Sequence, residues 1–128
     1  MRHILKFFVL EIDLAVCRLA PDAQIPAWAW QGVFFCVTRA IDELSIVCPA
    51  DLVPEGVRAE RGWVALKIDG QFPFSLTGVL SSFLHPLAEA QIPIFAVSTF
   101  DTDYVLVKRD QRKLAIEALE TAGHQKIV

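Results

Sequence analysis

The chain has 128 residues, 54% of them apolar and only 21% charged, with a net charge of −3. That length suits one compact domain or two small intimate ones, and the acidic balance excludes a phosphate-backbone binder, which needs a Lys/Arg patch. A surface so short of charge is expected to cover part of itself against another copy, so a homodimer is anticipated.

In chain order, "MRHILKFFVLEIDL" opens like a secretory leader, but Lys6, Glu11 and Asp13 break its apolar run. No small-residue cleavage site follows closely, so the segment is read as part of the fold. A strand is expected at about 14–19. Pro21, Pro26 and the Trp28/Trp30 pair then leave room for only a short helical turn. "FFCVTRAIDELSIVC", from Phe34, alternates apolar residues on both sides of a polar turn, as a half-buried hairpin does. Cys17, Cys36 and Cys48 form no CxxC pair and sit in apolar runs, so buried free thiols in a reducing cytoplasm are expected.

From Pro49 to Gly62 the chain reads as a loop, and Val64 to Ile68 as a strand. Residues 70–88 carry no Asp, Glu, Lys or Arg, yet Gln71, Pro73, Ser75, Thr77 and Pro86 interrupt them too often for a membrane span. They read instead as a helix with a stripe of Leu76, Val79, Leu80, Phe83, Leu84 and Leu87, capped by Ser75 or Thr77 and kinked or ended near Pro86. Hairpin strands at about 94–99 and 104–108 follow, with a turn on Asp101-Thr102-Asp103. A helix then starts at Asp110, turns Leu114, Ala118, Leu119 and Ala122 inward, and stops at Gly123. "QKIV" ends the chain as a short strand.

Residues 34–48 lie over 94–108 without a gap at an offset of sixty, setting Glu43 on Asp103 and Leu44 on Tyr104. The match points to a doubled unit, residues 1–60 and 61–128. The second copy shows βαββαβ order, so the fold class is α+β, with ferredoxin-like repeats in tandem, antiparallel sheets and helices on one face.

Such a frame hosts many functions. RNA binding requires stacking aromatics on the third strand, and Tyr104-Val105-Leu106-Val107 supplies one. Metal-ligand spacing is missing around His3, His85 and His124, so no metal and no cofactor are expected. Ser81 and Ser82 lie within reach of His85 on a helix, but no third group or oxyanion donor marks a catalytic set. Gly78 at a helix start is the more informative residue. It either lets a carboxylate approach free N–H donors, with Asp101 or Asp103 meeting a cation, or it eases packing against a neighbour.

"TGVLSSFLHPLAEAQIPIFAVST" resembles the helix-and-strand signature of ACT domains, regulatory modules that bind amino acids, although Ala90-Gln91-Ile92 lacks the usual Gly. "DELSIV", "FSLTGVL" and "STFDTDYVLV" are similar to small tandem ACT-like proteins of bacteria and to the ACT repeats of the CASTOR arginine sensors. The resemblance covers roughly residues 10 to 124. It implies a non-catalytic, cytoplasmic tandem protein with a ligand between repeats, held by Gly78 and Ser81, by Thr99, Phe100 and Asp103, and by the strand backbone at Ser45 and Ile46. Ser81 stands where the arginine-binding relatives carry an acid. The other function weighed is an interaction module with no ligand.

Overall fold

A computed structural model describes residues 2–128. The chain divides into two compact units, one formed by the residues up to Glu11 with Val64–Val128, the other by Ile12–Trp63. Two long strands, β1 (Lys6–Leu19) and β4 (Ala59–Ile68), give residues to both.

In the larger unit, β4 leads to α1 (Val79–Glu89), then to the hairpin β5 (Ile94–Ser98) and β6 (Asp103–Lys108). A 3-10 turn over Arg109–Gln111 precedes α2 (Arg112–Thr121), and β7 (Gln125–Lys126) closes the unit. The strands run in the order β5–β6–β4–β1. The short β7 pairs with β1 in parallel, Lys6 against Gln125 and Phe7 against Lys126. The βαββαβ order expected for residues 64–128 is therefore present, but β1 stands next to the closing strand. Residues 2–11, assigned from sequence to the first repeat, lie in the unit of the second half. The physical reason is burial: Leu5 and Phe7 sit in one core with Val64, Leu66 and Ile68 of β4, Phe83 and Leu87 of α1, and Ala115 and Leu119 of α2. The Phe7 and Phe83 rings meet edge to face at 5.5 Å. Burying side chains of this size stabilises by about 1.5–3 kcal/mol each.

Pro86 lies inside α1, which continues to Glu89 rather than ending there. Proline has no N–H to give the carbonyl four residues back, that of Ser82. The buried His124 Nε2 lies 3.0 Å from that oxygen, while its Nδ1 accepts the Leu5 N–H at 3.0 Å. These two bonds require the neutral Nε2–H tautomer. A side chain from the far end of the unit thus repairs the gap the proline leaves. On α2 the inward residues are Ala115 and Leu119, and Leu114 is 47% exposed. The helix begins at Arg112 rather than Asp110, and Gly123, at φ 102°, stands just past its end as expected.

In the smaller unit, β3 (Leu44–Pro49) lies between β1 and β2 (Cys36–Arg39), antiparallel to both. The turn over Ala27–Trp30 is a single 3-10 turn, as the prolines lead one to expect. The core here is Ala15, Cys17, Leu44, Ile46, Cys48 and their neighbours. Cys36 is only half-buried, whereas Cys17 and Cys48 are buried and all three are free thiols. Burial, then the adjacent Cys17 thiol, pushes the Cys48 pKa up to about 11. No helix among the described residues is long and apolar enough to cross a membrane.

Candidate functional site

The site is built where α1 begins and the β5–β6 hairpin turns. Gly78 is the N-cap of α1 and has φ 84°, a left-handed conformation that side chains resist. Its role is therefore conformational first, a cause that neither sequence reading of this glycine included. The N-cap is neither Ser75 nor Thr77, and the N-cap residue makes no side-chain cap bond. The N–H groups of Val79, Leu80 and Ser81 precede the first intrahelical donor, Ser82, which reaches the Gly78 carbonyl at 2.9 Å.

The hairpin turn occupies Thr99–Thr102, starting two residues and ending one residue before the Asp101–Asp103 segment expected. The Thr99 N–H bonds the Thr102 carbonyl at 2.8 Å, and the Thr99 hydroxyl oxygen lies 3.3 Å from the Thr102 N–H. Thr102 is buried and donates its hydroxyl to the Ile68 carbonyl at 2.7 Å. The Phe72 N–H bonds the Asp101 carbonyl at 2.8 Å, fixing the loop before α1 against this turn. Asp103 is consequently the first residue of β6, opposite Ser98, and its carboxylate accepts the Ser98 hydroxyl.

Between these parts lies a cleft of about 370 Å³. That volume falls in the range of small-molecule sites. Gly78, Ser81, Thr99, Phe100 and Asp103, five of the residues singled out from sequence, line it together. Sequence reasoning missed Phe74 and Ser98, which also line it. Phe74 and Phe100 are exposed by 77% and 78% and meet edge to face at 5.0 Å at its border. The Phe-Pro-Phe run at 72–74 was the available signal. Among the described residues, no Lys, Arg or His lines the cleft, whereas Asp101 and Asp103 do. An anion entering alone would meet two carboxylates, so the helix start favours a carboxylate only if the ligand carries its own positive charge.

Ser45 and Ile46 stand elsewhere, on β3 in the smaller unit. That strand pairs along both edges, with Cys17 and Val37 flanking Ile46 and with Arg18 and Thr38 flanking Ser45. Its backbone is occupied by the sheet, and the Ile46 side chain is fully buried. The remaining chemical candidates have structural partners. Ser82 is buried and donates its hydroxyl back to Gly78 at 2.6 Å, and His85 faces Glu89 at 3.7 Å. His3 Nε2 lies 2.9 Å from the Thr77 carbonyl. Among the described residues, no three His, Cys, Asp or Glu side chains gather as a metal site requires.

An antiparallel sheet backed by two helices, with a ligand-sized cleft at a glycine-opened helix start, defines the class structurally. The chain belongs to the ACT-domain family, whose model matches residues 58–121. A second model, describing an N-terminal domain, matches residues 13–56. The solved structure of protein Atu0741 from Agobacterium tumefaciens is 40% identical with a TM-score of 0.92, covering 98% of this chain and 93% of that one. The human protein CASTOR3P is 38% identical over 60 residues, so the match spans 41% of this chain and only 37% of that protein. The regulatory subunit of aspartate kinase from Thermus thermophilus, ligand-free, has the same fold with a TM-score of 0.61 at 15% identity, covering 89% of this chain and 96% of that one.

Proposed function

We propose that this protein is a non-catalytic, homodimeric tandem ACT-like regulator that binds an amino acid or similar small zwitterion. The observation that carries the reading is the cleft itself, where a helix start with a glycine N-cap and the Asp103 carboxylate share one space. The ligand carboxylate meets the N–H groups of Val79 to Ser81, and its ammonium meets Asp103, which Ser98 orients. Thr99 and Phe100 wall the cleft, and Ser81 closes its helix side. Occupancy would hold the loop, the helix start and the turn in one arrangement, which is the differential interaction that regulation requires.

Isothermal titration of the amino acid identified in a thermal-shift screen tests this. At a hundred times its dissociation constant the ligand should add about 2.7 kcal/mol of stability. Asp103→Asn should weaken binding by about 2–5 kcal/mol, as loss of one partner of a charge pair does. Asp101→Asn should cost much less. Equal curves for both variants and the parent protein would refute the assignment.

The second reading, an interaction module without ligand, draws on the exposed apolar side chains Trp30, Val33, Phe35 and Ile41 of the smaller unit. A screen in which none of the twenty amino acids shifts the melting curve would favour it.

A further inference from the structure

The outer side of the helix pair carries a second hollow, at the opposite end of α1 from the cleft. It measures about 510 Å³ and runs between α1 and α2, with Pro86 and Ala90 on one wall, Leu114, Ala118 and Ala122 on the other, and Glu89 and Glu117 also lining it. The apolar residues of α2 in this hollow recur every four positions, one large and two small. Leu114 projects at 47% exposure beside a floor of alanines. A leucine next to an alanine-lined hollow is a knob beside a hole, and two such helices satisfy each other when one is turned end for end.

Charge on the flank of α2 favours the same orientation. Along the exposed flank of α2, Lys113 comes first and Glu117 and Glu120 follow. A second copy running antiparallel brings each Lys113 beside the other copy's Glu120, and the two like-charged Glu117 side chains flank the axis between these pairs. A parallel copy would set Lys113 against Lys113 and Glu120 against Glu120. We infer that this groove takes α2 of a second copy of the chain, antiparallel about a two-fold axis, with Leu114 inserted against Ala118. The inference rests on the homodimer of the proposed function and names its surface. It does not use the ligand cleft.

Sedimentation velocity of the full chain across a concentration series tests it. Leu114→Asp should convert the dimer to a monomer, with far-UV circular dichroism unchanged because the position is exposed. Lys113→Glu should weaken the dimer about tenfold, since the symmetry breaks two rim pairs at once. The double variant Lys113→Glu/Glu120→Lys should restore it. A dimer that survives Leu114→Asp, or a double variant no tighter than Lys113→Glu alone, would overturn this surface while leaving a homodimer in place. A monomeric parent protein would overturn the surface and the homodimer, and ligand titration would still judge the cleft separately.

Discussion

The β2–β3 and β5–β6 hairpins are built alike and end differently. In each, a four-residue turn is closed by an N–H to carbonyl bond of 2.8 Å, from Ala40 to Glu43 in one and from Thr99 to Thr102 in the other. The residues flanking the turns pair as Arg39 with Leu44 and as Ser98 with Asp103. Exposed apolar residues, Ile41 and Phe100, take the same place in both turns, each followed by an aspartate. Where the first hairpin puts Leu44 into its core, the second puts Asp103 at a cleft. One position therefore separates a sealed strand end from an open, charged one.

The largest expected effect comes from forcing the first hairpin to imitate the second. Leu44→Asp would bury an unpaired carboxylate at a site with no solvent access, and urea denaturation should report a loss of about 4 kcal/mol or more. Exchanging the residues that close the turns should have a smaller effect. Thr102→Val removes the buried bond to Ile68 and should cost about 1–3 kcal/mol. Glu43→Gln, at the matching position, should stay within about 0.5 kcal/mol.

A further effect is seen only at alkaline pH, a pH dependence confined to the Ile12–Trp63 unit, which holds every cysteine. The Cys48 pKa is raised from 9.0 to about 11 in the fold, so the unfolded thiol ionises first. Its contribution to stability is full below pH 9 and is lost as pH rises towards 11. Melting curves of Cys48→Val should lack that part of the alkaline decline, and equal slopes for both proteins would refute the assignment.

The same pair of hairpins shows how far the sequence could be read. Strand and turn chemistry located both, and the family resemblance located five cleft residues. The gap-free offset of sixty, however, set Leu44 on Tyr104, whereas the pairing registers match at an offset of 59, with Leu44 on Asp103 and Glu43 on Thr102. Because strand side chains alternate, a slip of one residue exchanges the two faces. Apolar residues on both faces hid that slip: Leu106 is as buried as Val105 and Val107. In α2 the alanines at 115, 118 and 122 made two stripes equally plausible, and the exposed Leu114 was placed inside. The left-handed backbone at Gly78 and the bond from His124 to the proline-freed carbonyl depend on three-dimensional closure, and no local pattern announces either.

Consider finally what β1 implies for anyone cutting the gene at the family boundary. A fragment of residues 58–121 would carry both helices and the β5–β6 hairpin, yet it would leave out Leu5 and Phe7 as well as His124. Phe83 would lose the ring that meets its face, and the Ser82 carbonyl would lose its donor. The excised half should be a sticky, partly molten species. The same fragment should regain a sharp melting transition when its tail is extended to Val128 and residues 2–11 are supplied as a separate peptide, because those residues complete its core.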